Sequence, residues 1–143
     1  MWGYSTDALE LFTAQKKMIR ILVNIQQTDS CKAHFINLNM LTVPCIYILE
    51  ICKFAHKYKH FYTKREDIQT RYTLRHKTRL NLPTSRLKIH STSPLVMSIK
   101  MYNMLPEAIR EEKKLHLFTN KLKKMLISKC YYNVNEYLND KSL

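Results

Sequence analysis

Glycine is almost absent from this chain, in which Gly3 stands alone among 143 residues. Phosphate-cradling loops, dinucleotide fingerprints, nucleophile elbows and EF-hand loops all need glycine, because their backbone takes a positive φ or approaches a ligand closely. The composition therefore excludes these sites. The same scarcity, with four prolines and many Leu, Ile, Lys and Met side chains, disfavours a turn-rich sandwich or barrel and favours helices.

Long apolar runs and paired cysteines are missing as well. The most apolar stretch, 38–55, is interrupted by Pro44, Glu50 and Lys53, so we expect no transmembrane span. The first residues carry no basic segment ahead of an apolar run, which argues against a secretory signal. The cysteines form no C-x-x-C pair. We therefore expect an intracellular protein, cytoplasmic or nuclear, with four free and mostly buried thiols.

Positive charge is what the sequence has in excess, since 24 Lys and Arg face 11 Asp and Glu and leave a formal net charge of +13. This balance predicts anionic partners, with nucleic acid first. Eleven of the basic residues lie between positions 53 and 88, where only Glu66 and Asp67 oppose them. No long helical or alternating pattern persists beyond His60. Residues 61–92 are therefore predicted to form a long basic connecting segment.

Helix signals precede this segment. An amphipathic helix is predicted to run to about Asn24, with Asp7 as its cap. A shorter helix should start at Asp29 and run through Ile36. Thr42 should cap a third helix that ends near position 58 and lies at the centre of the packing, because it is apolar nearly all round. The apolar positions of the first helix are Ala8, Leu11, Phe12, Met18, Ile19, Leu22 and Val23.

Helix signals also follow the basic segment. Ser93 should cap a fourth helix that ends before Pro106, with a turn or two of helix at 107–111. The spacing of apolar residues predicts a last long helix over 115–126. Asn133 can cap a final short turn at 134–138. We expect an all-α fold, a small irregular helical bundle interrupted by the basic connection. Three regions follow from these signals: 1–60, 61–92 and 93–143.

Two features suggest chemistry but have simpler explanations. His56 and His60 are spaced to share a metal on one helical face, but no nearby carboxylate or cysteine completes a ligand set. We predict two surface histidines at a helix end instead. Cys130 has no positioned base, so we predict a buried thiol rather than a nucleophile. We expect no metal, no cofactor and no small-molecule substrate.

Several short motifs follow one another in a characteristic order. Trp2-Gly3 stands before a helix bearing Gln15-Lys16-Lys17-x-Ile19-Arg20-Ile21, and Leu41-Thr42-Val43-Pro44-x-x-Tyr47-Ile48-Leu49-Glu50 comes next. The later motifs are Tyr72-x-x-Arg75-His76, Leu82-Pro83-x-x-Arg86, Ser93-Pro94, Tyr102-Asn103-x-Leu105-Pro106, Phe118-x-x-x-Leu122-Lys123 and Tyr131-x-x-Val134-x-Glu136-x-Leu138. Together they resemble the region after the catalytic palm in reverse transcriptases of non-LTR, LINE-like retrotransposons of the jockey type. The chain departs from that family at Thr73-Leu74, where an Asn-Thr pair is usual.

The resemblance implies a fragment of an RNA-directed DNA polymerase. Residues 1–60 would correspond to the thumb and 93–143 to the tail, without fingers, palm or endonuclease. Polymerase catalysis needs clustered carboxylates that hold two metal ions, and the family's aromatic-x-Asp-Asp motif is missing from this sequence. We therefore expect no enzymatic activity from this chain by itself. A thumb without its palm should also leave apolar surface exposed, so self-association is expected.

The predicted partner is RNA or an RNA/DNA duplex, bound without base-specific readout. Arginine forks can hold phosphates and aromatic rings can stack on bases, which makes the basic segment the first candidate. Its candidate residues are Arg71, Tyr72, Arg75, His76, Lys77, Arg79, Arg86 and Lys88. The resemblance adds Lys16, Lys17 and Arg20, because a thumb helix lies against the template–primer duplex.

Three alternatives stay open. The basic segment and the lysine face of the last helix, which comprises Lys113, Lys114, Lys121, Lys123 and Lys124, could simply be solvated. The chain could also be a structural remnant or helical interaction module without a specific ligand. An independent enzyme is a third class, but no group of residues in the sequence indicates a catalytic site.

Overall fold

Seven α-helices and no β-strand make up the described part of the computed structural model, which covers residues 5–62, 79–82 and 93–140. The predicted all-α bundle is therefore confirmed. The helices are α1 (Thr6–Val23), α2 (Lys32–Asn37), α3 (Val43–Lys57), α4 (Pro94–Met104), α5 (Glu107–Arg110), α6 (Leu115–Lys129) and α7 (Val134–Leu138). A single 3-10 turn, Lys59–Phe61, follows α3.

Local capping signals explain most of the helix starts. Thr42, Ser93 and Asn133 each accept a hydrogen bond from the backbone N–H three residues further on, which confirms all three predicted caps. At α1 the prediction was wrong, because Ser5 is the cap and Asp7 already lies in the first turn. There the Asp7 carboxylate faces the positive end of the helix dipole. Helix α2 begins at Lys32, three residues later than predicted.

Helix α3 lies at the centre of the packing, as its sequence predicts. It packs against α4 and α6 more extensively than any other pair of helices does. Its Tyr47, Ile48 and Cys52 are fully buried in the larger of two core clusters, whereas Ile46 and Phe54 stay partly exposed. Helices from before and after the basic segment therefore share one core.

A smaller core cluster joins α1 and α2 to the end of α6. Phe12 and Ile19 of α1 pack with Phe35 of α2, and the Phe12 and Tyr132 rings meet edge-on at 5.1 Å. Phe12 and Ile19 are the buried residues of α1. Its Leu11, Met18 and Leu22, predicted to line the inner face, are instead 57%, 63% and 69% exposed. Burial on α1 is thus restricted to a narrow stripe.

The four cysteines are free and buried, which confirms the prediction. Cys45 Sγ lies 3.6 Å from the Tyr131 carbonyl oxygen and 3.7 Å from that of Leu126. Cys31 and Cys130 belong to the smaller cluster. In the three described ranges, no helix combines the length and the apolar character that crossing a membrane requires.

Candidate nucleic-acid interface

Seven of the eleven predicted contact residues lie outside the described residues, so their role stays a prediction. They are Arg71, Tyr72, Arg75, His76, Lys77, Arg86 and Lys88. The structure describes the other four, which are Lys16, Lys17, Arg20 and Arg79.

The three cations of α1 differ in their surroundings. Lys16 Nζ lies 4.8 Å from the centre of the Phe12 ring, so its charge rests on an aromatic face. Arg20 Nη2 donates to the carbonyl oxygen of Asp29 at 3.3 Å and thereby ties α1 to the turn before α2. Lys17 is exposed. Of the predicted thumb contacts, Lys17 is therefore the one that an approaching phosphate reaches most easily.

Arg79 lies beside a point at which the basic segment is held by the helical core. The next residue, Leu80, is 2% exposed and belongs to the larger core cluster. Asn103 of α4 binds the Leu80 backbone in both directions: Leu80 N donates to Asn103 Oδ1 at 2.9 Å, and Asn103 Nδ2 donates to Leu80 O at 2.8 Å. The basic segment is thus anchored at this point, because an apolar side chain and a buried amide hold it.

Arg110 is a cation near Arg79 that sequence analysis missed. It ends the short helix α5 and is 8% exposed, although arginine is rarely buried without a partner. Burial, followed by the charge of Arg79, lowers the pKa of Arg110 from its ordinary value. Its sequence neighbours Glu107 and Glu111 suggest an ordinary surface ion pair, so no sequence signal marked it as buried.

The lysine face of α6 and the residues before it is exposed, as predicted. Lys121 Nζ binds Glu112 at 2.6 Å, and this hydrogen bond lowers the pKa of Glu112. In the described part of the chain, no carboxylate pairs with the other four lysines of the face. These are Lys113, Lys114, Lys123 and Lys124. The face therefore offers uncompensated positive charge to solvent.

His56 is not a surface residue, so that prediction was wrong. Its ring stacks on Phe118 at 4.0 Å, and its Nδ1 lies 3.4 Å from the Tyr102 hydroxyl. His60 is exposed and packs beside Phe61. The two histidines thus lie in different environments, because α3 turns His56 toward α4 and α6.

Among residues 5–62, 79–82 and 93–140, no three His, Cys, Asp or Glu side chains are grouped so that they could hold a metal ion. No protein-family model, curated protein or solved structure matches this chain.

Proposed function

We propose that this chain is the thumb and carboxy-terminal region of a non-LTR retrotransposon reverse transcriptase, which binds template RNA or RNA/DNA through phosphates and without base-specific readout. The ordered motifs from Trp2-Gly3 to Leu138 support this proposal, and so does the net charge of +13. In this role the chain binds the template for a polymerase whose catalytic carboxylates lie elsewhere.

The observation that carries the binding proposal is the uncompensated lysine face. Exposed lysines without carboxylate partners attract a phosphate backbone, and binding releases the counterions condensed on the nucleic acid. Lysine acts as a point charge and reads no base, so this contact is independent of nucleotide sequence. Lys17 on α1 adds a further exposed cation.

A second candidate function is a helical interaction module without a nucleic-acid ligand. The exposed apolar residues of α1 favour it, because large apolar surface on a helix usually packs against another protein surface. The two functions differ in the salt dependence of binding, because an apolar contact depends little on salt and a phosphate contact depends on it strongly.

The salt dependence of RNA binding tests the proposal. Affinity for an unstructured RNA is measured by fluorescence anisotropy between low and moderate salt. On single strands the log–log slope changes by about 0.7 for each phosphate neutralised. We expect Lys123→Gln with Lys124→Gln to reduce the slope by about 1.4, and Arg71→Ala with Arg75→Ala to do the same for the basic segment.

A matched control removes two positive charges that already have partners. Lys32 pairs with Glu136 and Lys53 pairs with Glu50, so Lys32→Gln with Lys53→Gln should leave the slope nearly unchanged. Equal slopes in all three double variants and the parent would contradict the proposal. Binding that does not weaken with salt would instead favour the interaction module.

A further inference from the structure

Arg110 presents unused hydrogen-bond donors inside the protein. Its Nε and Nη1 atoms are buried and have no acceptor in the described part of the chain. Buried polar atoms nearly always have a partner, and an ionised group without one is especially costly. An arginine that is 8% exposed with two unused donors therefore indicates that an acceptor belongs beside it.

Arg79 brings a second positive charge to the same place. Its Nε is also buried without an acceptor among the described residues. Both arginines are held beside adjacent residues of α4, because Leu80 binds Asn103 and the Arg110 carbonyl oxygen accepts from Tyr102. The charge of Arg79 accordingly helps to lower the pKa of Arg110, after burial. Arg79 is partly exposed and Arg110 is buried, so an anion between or beside the two guanidinium groups would relieve their repulsion.

The backbones of both arginines are held in place by buried hydrogen bonds. Asn103 binds the backbone of Leu80, the neighbour of Arg79, in both directions. The Tyr102 hydroxyl donates to the carbonyl oxygen of Arg110 at 3.1 Å, and burial raises the pKa of Tyr102 to about 12, so the hydroxyl keeps its proton at neutral pH. The backbone segments that carry the two guanidinium groups are therefore fixed before any ligand arrives.

The neighbouring carboxylates do not supply the missing acceptor. Glu107 and Glu111 act on Arg110 from a distance and raise its pKa, which only partly offsets burial and Arg79. In the described ranges, no ion pair joins a carboxylate to Arg110 or Arg79. An anion from outside this part of the chain is needed to balance the pair.

We propose that Arg79 and Arg110 together form a binding site for one phosphate group. A phosphate presents several acceptor oxygens and up to two negative charges, which match two guanidinium groups and their free donors. When phosphate is bound, it links residues 79–82, through Arg79, to α5, through Arg110. This inference needs only the unpartnered buried donors of Arg79 and Arg110, so it stands whether or not the chain binds RNA through its lysine face.

Inorganic phosphate is the probe for the first test. Thermal unfolding of the full chain is measured in sodium phosphate and in sodium chloride of equal ionic strength. A ligand that binds only the folded state stabilises it by RT ln(1 + L/Kd), where L is the ligand concentration. We therefore expect phosphate to raise the unfolding midpoint, with a rise that follows the logarithm of the phosphate concentration above the Kd. An equal midpoint in the two salts would overturn the proposal.

Two variants on different elements locate the site. Arg110→Met and Arg79→Gln each remove one guanidinium, and Arg79→Gln leaves both hydrogen bonds of Leu80 in place, so this variant should fold. We expect each to weaken phosphate binding about tenfold. Lys53→Gln, which removes a positive charge that pairs with Glu50 on α3, is the matched control and should respond to phosphate as the parent does. A full response in Arg79→Gln would overturn the proposal.

A final arm identifies the source of the phosphate. The parent is saturated with an unstructured RNA and then titrated with inorganic phosphate. Loss of the phosphate response means that a backbone phosphate of the RNA occupies the site, and an undiminished response means that the ligand is free phosphate. Both results support the site. Failure of RNA binding with an intact phosphate response would count against the proposed function alone.

Discussion

At the scale of single residues, the side-chain amide of Asn103 holds the backbone of Leu80. Asn103 both donates to and accepts from the Leu80 backbone, at 2.8 and 2.9 Å, and is itself 9% exposed. Backbone polar groups must be paired when they are buried, and Asn103 pairs both the N–H and the C=O of Leu80. The side chain of Asn103 therefore makes it possible to bury Leu80.

Replacing Asn103 by Ala tests this anchor. The change leaves a buried N–H and a buried C=O of Leu80 without partners, and each costs about 1–3 kcal/mol. We expect the free energy of unfolding, measured by urea denaturation, to fall by about 3 kcal/mol. Asn120→Ala, at an exposed position of α6, is the control and should have little effect. A loss no larger than that of the control would refute the anchor.

His56 should make stability depend on pH. Burial, and after it the charge of Lys59, lowers the pKa of His56 from its ordinary value of 6.5. The unfolded chain binds a proton near pH 6.5 that the folded chain takes up only at lower pH, so the free energy of unfolding falls as the pH drops below about 6.5. Urea denaturation at pH 7.5 and 5.5 measures this loss. It should shrink in His56→Gln and persist in His60→Gln, and a persisting full loss in His56→Gln would rule the explanation out.

At the scale of elements, α1 is the helix with the least complete packing. Its inner stripe, Phe12 and Ile19, reaches the smaller core cluster, whereas Leu11, Met18 and Leu22 are exposed. Leu11, Met18 and Leu22 are spaced seven and four residues apart, so they follow one face of the helix. The helix is therefore apolar on two faces, of which one is covered in this chain.

Self-association through α1 is the outcome expected from its uncovered face. Leu11→Gln, Met18→Gln and Leu22→Gln in one variant should make the chain monomeric, while the parent associates as its concentration rises. Sedimentation velocity over a range of concentrations measures this difference. Leu95→Gln, on α4, is a control, because Leu95 is also partly exposed but lies on another helix. A parent that remains monomeric at high concentration would disprove the expectation.

At the scale of the whole molecule, two core clusters divide the cysteines between them. Cys45 and Cys52 lie in the larger cluster around α3, and Cys31 and Cys130 lie in the smaller one under α1. Burial raises the pKa of the Cys45 and Cys52 thiols. It also raises the pKa of the Cys130 thiol, to about 11. The thiols thus report when each cluster opens, since the reactive form is the thiolate.

Thiol labelling should therefore occur in two steps. The smaller cluster has fewer buried contacts and is covered by the incompletely packed α1, so it opens locally at lower cost than the global unfolding that exposes α3. We expect Cys31 and Cys130 to react with an aromatic disulfide reagent before Cys45 and Cys52, with peptide mass spectrometry assigning each site. In urea above the unfolding transition all four should react together. Equal rates in native buffer would contradict this division.

The sequence by itself determined the helical elements. Caps such as Thr42 and Ser93, the proline at the start of α4 and the spacing of apolar residues act within a few positions of one another, so they can be read without knowing the fold. The central position of α3 is also predictable from sequence, because this helix is apolar nearly all round. Charge and free thiols likewise follow from composition.

Tertiary structure decided which polar and apolar side chains are enclosed. The contacts of His56 with Tyr102 and of Leu80 with Asn103 join residues 46 and 23 positions apart, and no local pattern announces them. Arg110 looks like a surface cation until the packing removes water from it. On α1, local periodicity could not choose between two apolar faces, because that choice depends on where α2 and the end of α6 lie.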